Sequence, residues 1–317
     1  MQSRVALTMG DPNGIGPEIA LKALAALTPE ERNRVVVYGP LQVLQFTAHS
    51  LGLEYLLTGL AQTPAGELPI SSFQPGKVNA HAGFSAVHSA SAAIQDCRDG
   101  LVIAVVAGPH HETAIAQAGI TFSGYPSLVA SVCELAANEV FLMLVGGGLR
   151  IVHVTLHESV EQALSRLSSP LVISATLAGV RACDRLGVIN PRIGLFGINP
   201  HASEGTLFGP HDKACTVPAA QTLRDKGLNV SDPQGADVLL ADHQIRPHDF
   251  YVAMFHDQGH IPIKLLAPQG ATALSIGADV LLATTGHGSA MDIAGQGIAR
   301  PDALLRSLRL VMGTHAA

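Results

Sequence analysis

Short apolar runs alternate with segments of helical apolar spacing along almost the whole chain. Runs such as R-V-A-L-T-M and V-V-V-Y-G have the length of buried strands, and E-I-A-L-K-A-L-A-A-L has the apolar spacing of an amphipathic helix. The pattern predicts strands at 4–9, 35–39, 101–109, 192–200 and 249–256, and helices at 18–27, 87–97, 159–186 and 217–226. This alternation indicates an α/β fold in which crossover helices join parallel strands.

A different pattern occupies the middle of the chain. Residues 140–155, V-F-L-M-L-V-G-G-G-L-R-I-V-H-V-T, form two apolar runs joined by a glycine-rich turn. Two strands with so short a connection predict an antiparallel hairpin. We interpret this hairpin as a domain junction or a dimerisation element.

The composition favours a soluble protein over a nucleic-acid-binding or membrane protein. Hydrophobic residues make up 47% of the 317 residues, charged residues 14%, and the mean hydropathy is +0.31. These values suit a sheet buried on both faces and an apolar surface hidden in an oligomer. No apolar stretch approaches the roughly 18–20 residues that cross a bilayer. The net charge of −6, without a basic run or any Trp, argues against nucleic acid.

The N-terminal residues and the cysteines indicate the compartment. The sequence M-Q-S-R-V-A-L-T-M-G-D runs directly into a predicted strand and does not have the pattern of a signal peptide. The four cysteines are scattered, with no C-x-x-C pair, and are typical of buried thiols in a reducing environment. We therefore expect a cytoplasmic protein.

Three histidines carry the strongest chemical signal. His157 in V-T-L-H-E-S and His256 in F-H-D-Q-G-H directly follow apolar runs, and His201 follows I-G-L-F-G-I and an N-P turn. Residues after a buried strand emerge at the carboxyl edge of an α/β sheet, which is where ligands bind. Three neutral imidazoles at that edge could hold one divalent metal and leave a coordination position open for substrate.

The residues alone leave other interpretations open. With 15 histidines in the chain, a histidine at a strand end is often structural, and the spacing matches no local zinc motif such as H-E-x-x-H. Three histidines suit zinc, with cobalt, manganese, iron or nickel as alternatives. The same ligands would also suit a zinc hydrolase, and a non-catalytic metabolite-binding protein is a third class.

Two glycine-rich turns are candidate cofactor contacts. G-D-P-N-G-I-G-P-E at 10–18 joins the first strand to the first helix, and T-T-G-H-G-S-A-M-D-I-A-G at 284–295 is predicted to be a loop entering a helix. Glycine permits close backbone approach, and the N–H groups of a helix start bind phosphate. The candidate residues are Gly14, His287, Gly288 and Asp292. Neither turn matches the dinucleotide fingerprint G-x-G-x-x-G.

Three further segments contain candidate substrate-binding and catalytic residues. A-G-P-H-H-E follows a predicted strand and offers His110 and His111, and F-S-G-Y-P-S offers Tyr125 as part of a pocket wall. F-H-D-Q-G-H-I-P-I-K adds Asp257, to orient a ligand histidine or act as a base, and Lys264, to contact a carboxylate or donate a proton.

In their order along the chain, these motifs resemble the 4-hydroxythreonine-4-phosphate dehydrogenase family. The resemblance covers nearly the whole chain, and the pair N-P-H-A-x-E-G and H-D-Q-G is highly specific. It implies two α/β/α domains with a cleft between them, as in isocitrate and isopropylmalate dehydrogenases. The domains would be 1–125 plus 285–317, and 126–284 with the dimerisation and metal-binding elements.

The resemblance also implies a cofactor, a metal and a partner. It implies NAD or NADP, and a divalent metal bound by His157, His201 and His256. It implies a homodimer whose active site is shared, because one of the three ligands comes from the partner subunit.

The chain departs from the family where the family binds phosphate. Glu112 stands in place of a lysine, and Tyr125 and Pro126 replace a His and a Thr that contact the phosphorylated substrate. Further along, Ala273 or Leu274 aligns with an Asn, Leu282 with an Arg, and Gly286 with an Asp. A phosphate without its donors would bind poorly.

The variant motifs resemble a catabolic branch of the family. P-H-H-E-T-A-I, F-S-G-Y-P-S-L and H-V-T-L-H-E-S-V are similar to the dehydrogenases of terephthalate cis-dihydrodiol, which is 1,2-dihydroxy-3,5-cyclohexadiene-1,4-dicarboxylate. This implies a metal-dependent, NAD-linked oxidative decarboxylation that yields protocatechuate, CO2 and NADH. The alternative within the family is the 4-hydroxythreonine-4-phosphate dehydrogenase of pyridoxal phosphate biosynthesis.

Overall fold

The computed structural model describes residues 4–268 and 270–313. The strands are β1 Val5–Thr8, β2 Val35–Gly39, β3 Ala61–Pro64, β4 Ala104–Ala107, β5 Phe141–Gly146, β6 Leu149–His153, β7 Arg192–Leu195, β8 Asn229–Val230, β9 Phe250–Ala253, β10 Thr272–Ile276 and β11 Leu282–Thr285. The α-helices are α1 Gly16–Ala26, α2 Pro29–Arg32, α3 Leu41–Leu51, α4 Ala80–Arg98, α5 Glu112–Gln117, α6 Tyr125–Val132, α7 Val160–Arg166, α8 Ser169–Arg185, α9 His211–Ala214, α10 Thr216–Asp225, α11 Ala236–Ala241, α12 His256–Leu266 and α13 Asp302–Met312.

The chain divides into two compact units. The first comprises Met1–Leu135 and Asp279–Ala317, and the second Ala136–Ala278. The junctions predicted from the sequence were at 125/126 and 284/285, so both fall inside the first unit. The assignment of dimerisation and metal binding to the second domain stays a prediction.

The first unit contains a parallel sheet in the order β3-β2-β1-β4-β11. Every residue of β1, β2 and β4 is buried, which explains why these strands are continuous apolar runs rather than alternating ones. Helix α4 packs against β1, β2 and β4, and α13 packs against β1, β4 and β11. The expected α/β layering of this unit is confirmed.

The second unit contains a mixed sheet in the order β10-β5-β6-β9-β7-β8. Strands β6, β9, β7 and β8 are parallel neighbours, whereas β5 runs antiparallel to both β6 and β10. The hairpin predicted at 140–155 is therefore confirmed. One hydrophobic core joins this sheet to α11 and α12 and includes Leu144, Leu149, Ile151, Phe196, Leu239, Tyr251 and Ile263.

The single helix predicted at 159–186 is wrong. Two helices, α7 and α8, occupy this range and meet at an angle of 93°. Ser168 has extended backbone angles, and Pro170 lies in the first turn of α8, where its missing N–H costs no helical hydrogen bond. The proline therefore marks the start of a second helix.

No single helix among the described residues has the length and apolarity to span a membrane. The bent pair α7 and α8 passes that test by length and composition only.

Candidate active site

Three neighbouring strands of the second unit bring the predicted metal ligands to one edge of its sheet. Strands β6, β9 and β7 are parallel, with His153 in register with Ala253 and Val252 with Leu195. Their carboxyl ends therefore lie at the same edge, and the segments that leave them carry His157, His256 and His201 in turn. The prediction that all three follow strand ends at this edge is correct.

The segments after β6 and β9 stay hydrogen-bonded beyond the strands. The Val154 N–H donates to the Ala253 carbonyl oxygen at 2.8 Å, and the buried Thr155 hydroxyl donates to the Met254 carbonyl oxygen at 2.6 Å. These bonds place His157 beside His256, with ring centroids 5.6 Å apart and ring planes tilted by 45°. Two of the predicted ligands are thus neighbours within one chain.

Asp257 is positioned to orient His256. Its Oδ1 lies 2.7 Å from His256 Nδ1. An ionised carboxylate accepts a hydrogen bond from the Nδ1–H group, which leaves Nε2 unprotonated and available to a metal. Metal-binding histidines commonly have this arrangement, with a carboxylate on the second ring nitrogen.

His201 lies in an unusual backbone conformation. His201, Ala202, Ser203 and Glu204 have consecutive positive φ angles of 53°, 50°, 68° and 41°. A left-handed turn of L-residues costs roughly 1–2 kcal/mol per residue, so neighbouring contacts must stabilise it. Glu204 Oε2 lies 3.3 Å from His201 Nδ1, which gives this imidazole a carboxylate partner like that of His256.

Asp212 stabilises the turn that carries His201. Its carboxylate is fully buried and accepts hydrogen bonds from the backbone N–H groups of Ile198 and Asn199, at 2.7 and 3.0 Å. It also accepts from the hydroxyls of Ser203, at 2.6 Å, and Thr216, at 2.8 Å. Hydrogen bonds to a charged acceptor are the strong ones, so one side chain fixes both ends of the strained segment.

The described residues contain no group of three His, Cys, Asp or Glu side chains placed to hold a metal ion. His201 is therefore not grouped with His157 and His256 in a single chain. The three-histidine ligand set therefore stays a prediction.

Two further histidines, which sequence reasoning missed, lie beneath His256. The ring of His260 is stacked on that of His256, with centroids 3.7 Å apart and planes within 10°. His260 Nδ1 lies 3.1 Å from Nε2 of the buried His153. Burial, above all, lowers the pKa of His153 to about 3 and that of His260 to about 4, so both imidazoles are neutral at neutral pH.

Lys264 lies on the same helix, α12, one turn after His260. Its side chain is exposed, as is that of Asp257. The structure thus places both predicted catalytic side chains on the helix that begins at His256.

In the first unit, three loops meet at the carboxyl edge of the sheet. Strands β1, β4 and β11 are parallel neighbours, and β1 lies between β2 and β4, where the strand order reverses. This is the topological switch point at which α/β sheets bind ligands. The Ile15 N–H donates to the Ser289 carbonyl oxygen at 2.9 Å, and a Cβ added to Gly14 would lie 2.7 Å from the Ser289 Cβ. The two predicted cofactor turns are therefore in direct contact.

The second of these turns does not enter a helix as predicted. Residues 286–301 form turns and irregular backbone, and α13 begins only at Asp302. The carboxylate of Glu18 holds this segment, since it accepts from the N–H groups of Ala299, at 2.7 Å, and Gly297, at 3.1 Å. His287, Gly288 and Asp292 are exposed, so they remain candidates for cofactor contact through backbone and side chain rather than through a helix start.

The predicted substrate residues of the first unit form a compact aromatic cluster. His110 packs edge-on against Phe122 and Tyr125, at centroid distances of 4.7 and 5.0 Å. The hydroxyl of Tyr125, a residue that is 6% exposed, donates to the Gly108 carbonyl oxygen at 2.8 Å. The ring of Tyr125 can therefore contribute a wall, but its hydroxyl is already engaged.

The ionisable side chains in or beside this cluster include His110, His111 and Asp11. Burial lowers the pKa of His110, while His111 caps α5 by accepting from the Ala114 N–H. Asp11 is fully buried, and burial raises the pKa of its carboxyl to about 6. Its Oδ1 accepts from the Asn13 N–H at 2.8 Å, and its Oδ2 has no hydrogen-bond partner among the described residues. A carboxyl that titrates near neutrality at a switch point is suited to proton exchange.

The chain matches a known family model over most of its length. The family is described as pyridoxal phosphate biosynthetic protein PdxA, and its model matches residues 30–311. The chain is 58% identical to a 1,2-dihydroxy-3,5-cyclohexadiene-1,4-dicarboxylate dehydrogenase from Comamonas sp, over 97% of this chain and 96% of that protein. It is 33% identical to a 4-hydroxythreonine-4-phosphate dehydrogenase from Beijerinckia indica, over 95% and 91%.

Solved structures agree with these matches. A terephthalate 1,2-cis-dihydrodiol dehydrogenase from Burkholderia xenovorans LB400 aligns with a TM-score of 0.79 at 45% identity, covering 98% of both chains. A β-decarboxylating dehydrogenase from Thermococcus kodakarensis aligns with a TM-score of 0.50 at 18% identity, covering 98% of this chain and 82% of that one. The second likeness concerns the fold alone, and it agrees with the predicted α/β fold class.

Proposed function

Since the chain belongs to the PdxA family and is a dehydrogenase, we propose that it oxidises and decarboxylates terephthalate cis-dihydrodiol in a metal-dependent, NAD-linked reaction. The products would be protocatechuate, CO2 and NADH. The observation that carries this proposal is the 58% identity, over almost the full length of both chains, to a protein named as a dehydrogenase of that diol.

The residues at the phosphate-binding positions of the family support the diol over a phosphorylated substrate. Leu274 and Leu282 are fully buried in β10 and β11 and present no polar group. Tyr125 and Pro126 stand at the positions of the family's His and Thr. The Tyr125 hydroxyl already donates its hydrogen bond to the Gly108 carbonyl oxygen, and the side chain of Pro126 has no hydrogen-bond donor. A phosphate dianion would lack the charged donors that bind it tightly.

The histidine edge of the second unit fits a divalent metal in its donor chemistry. His157 and His256 are adjacent. The carboxylates of Asp257 and Glu204 contact His256 and His201 at Nδ1, as carboxylates commonly do beside metal-binding histidines. A divalent metal, zinc for a three-histidine set, would act as a Lewis acid toward the diol and toward the carbonyl that oxidation creates. Asp257 would keep the proton on His256 Nδ1 throughout.

The third ligand would come from a second copy of the chain, in a homodimer with a shared site. His201 is not grouped with the other two in one chain, and its turn is held rigidly by Asp212. Helix α12, which starts at His256, exposes 55% of Ile261 and 74% of Leu265 on one side. Exposed large apolar side chains on the helix that carries the site are suited to burial against that second copy.

The switch point of the first unit would bind the nicotinamide cofactor. The turns containing Gly14 and Ser289 touch there, and close backbone contact of this kind excludes larger residues at Gly14. His287, Gly288 and Asp292 are exposed beside it. His110 follows neighbouring β4, and the ring of Tyr125 packs against it; both would contact the substrate ring.

The proposed reaction balances without a further reactant. The hydroxyl on C2 of the diol loses its proton as C2 transfers hydride to NAD, which leaves a β-keto acid. The bond from C1 to its carboxylate would then break and CO2 would leave. The electron pair would complete the aromatic ring, and the C2 oxygen would take back one proton to give protocatechuate. Lys264 would contact a substrate carboxylate or supply a proton.

The test compares two substrates with the purified protein, NAD and zinc. We expect NADH absorbance with the cis-dihydrodiol at a kcat/KM at least about 100-fold above that for 4-hydroxythreonine-4-phosphate, a margin that the loss of charged phosphate contacts can supply. Preference for the phosphorylated amino acid would overturn the proposal and assign the chain to pyridoxal phosphate biosynthesis. Turnover of neither substrate, in the presence of metal and cofactor, would also overturn it.

A further inference from the structure

The imidazole of His256 is restrained from two directions. Asp257 contacts its Nδ1 in the plane of the ring, and His260 covers one face of the ring at 3.7 Å. An in-plane hydrogen bond fixes rotation within the plane, whereas stacking fixes the tilt of the plane. We propose that the pair His153–His260 is a positioning device that holds His256 in its metal-binding orientation.

The hydrogen-bond partners of the pair assign its protons. His153 Nδ1 lies 3.4 Å from the Leu142 carbonyl oxygen, which can only accept. His153 therefore carries a proton on Nδ1, and its Nε2 accepts from His260 Nδ1–H at 3.1 Å. The same His260 nitrogen lies 3.2 Å from the His256 carbonyl oxygen, a second acceptor. The chain of bonds thus runs in one direction, from His260 through His153 to the backbone of β5.

Packing anchors the inner member of the pair. The side chain of His153 is 1% exposed and lies under the first turn of α12. A Cβ added to Gly259 would collide with the His153 ring and lie 2.9 Å from Ile151 Cγ2. The glycine of H-D-Q-G therefore lets α12 approach His153 closely enough for His260 to reach it.

This inference rests on the proposed function in one respect only, which is that His256 binds a divalent metal. Residues that orient metal ligands typically contribute a factor of 10–100 to metal affinity. His260 and His153 are positioning residues in this sense, since neither is assigned to the metal itself.

The test is a calorimetric titration of the metal-free protein with zinc, which measures the affinity for the metal. We expect His260→Ala to weaken zinc binding by about 10–100-fold. His260→Phe keeps a ring over His256 but loses the hydrogen bond, and we expect an affinity between those of the alanine variant and the unmodified protein. The matched control is His243→Ala, since His243 is also hydrogen-bonded in the second unit, to the Tyr251 hydroxyl at 2.8 Å, away from His256. An unchanged zinc affinity in His260→Ala would overturn the inference.

A second readout is independent of metal binding. In 15N NMR spectra of the metal-free protein, we expect His153 and His260 each to carry a proton on Nδ1, and we expect Nε2 of His153 to be unprotonated. A proton on Nε2 of His153 would overturn the assigned direction and with it the device. The unmodified protein could instead fail to bind zinc while its imidazole spectra are as expected. That result would contradict the metal dependence in the proposed function and leave the arrangement of the two histidines intact.

Discussion

The side-chain amide of Gln258 donates a 2.9 Å hydrogen bond to the carbonyl oxygen of Gly197. Its Oε1 accepts from the N–H groups of Met254, at 2.8 Å, and Phe255, at 3.2 Å. Gln258 therefore ties the end of β9, just before His256, to the segment after β7 that leads to His201. The Q of H-D-Q-G holds the two histidine-bearing loops at a fixed separation.

Replacing Gln258 should loosen both loops. Gln258→Leu leaves two N–H groups and one carbonyl without partners, and each unsatisfied group costs about 1–3 kcal/mol where it is buried. We expect a loss of about 3 kcal/mol in the free energy of unfolding, measured in urea, and weaker zinc binding. Gln258→Glu retains the acceptor oxygen and should lose less stability. A neutral surface substitution changes the free energy of unfolding by up to about 0.5 kcal/mol. A change no larger than this in Gln258→Leu would show that the hydrogen bonds of Gln258 contribute little to stability.

Asp212 should be indispensable to the left-handed turn at His201. In Asp212→Asn one accepting oxygen becomes an NH2 group that faces N–H or O–H donors, and the charge is lost. Because hydrogen bonds to a charged group contribute about 1.5–3 kcal/mol each, we expect a loss of at least about 3 kcal/mol of stability. Thermal unfolding measures this directly. Asp225→Asn, on the exposed end of α10, is the control and should be near neutral. Equal melting temperatures for the two variants would refute the role assigned to Asp212.

Gly259 and His153 should be energetically coupled. Gly259→Ala forces a methyl group against the His153 ring, and overpacking of this kind costs about 1–3 kcal/mol. His153→Ala opens space, so the double variant should be more stable than the sum of the two single effects by at least about 1 kcal/mol. Gly288→Ala, whose added Cβ has nothing within 4 Å, is the stability control. Strict additivity of the two changes would argue against the contact.

Because of Asp11, the free energy of unfolding should fall as the pH rises from about 4 to about 6. Burial raises the folded-state pKa to about 6 from an ordinary 3.8, so between these values the folded protein holds a proton that the unfolded chain has lost. The shift of about two units costs about 3 kcal/mol at neutral pH, and this cost disappears below about pH 4.

The test of this dependence uses Asp11→Asn, which cannot titrate. Relative to the unmodified protein, its free energy of unfolding should be higher at pH 7.5 than at pH 4 by about 3 kcal/mol. Comparing the difference at two pH values removes any constant effect of the amide. A difference that does not change with pH would show that Asp11 is not shifted.

The sequence predicts the strands that carry the candidate site well, because each strand is encoded by a local run of residues. Buried strands are continuous apolar runs, so β6, β7 and β9 and the histidines that follow them are visible without a structure. The hairpin of β5 and β6 is visible for the same reason, since glycines separate two apolar runs. The break between α7 and α8 was also signalled, by Pro170, but helical spacing on both sides of the proline suggested one helix.

The residues that stabilise the candidate site act through contacts that cannot be read from the sequence. Asp212 follows His211 in a polar stretch and has the pattern of a surface residue, although it is fully buried. His153 stands inside an apolar run, where only the partner on α12 reveals its role. The loop after β11 was expected to enter a helix, but Glu18, distant in sequence, holds it as irregular backbone.

The most direct test of the proposed function is a coupled assay on protein that has been treated with a chelator and then resupplied with zinc. NADH and CO2 are measured together, with the cis-dihydrodiol and NAD as reactants. We predict no NADH from the chelated protein, recovery on adding zinc, and equimolar CO2 and NADH. Turnover that survives chelation, or NADH formed without CO2, would contradict a metal-dependent oxidative decarboxylation.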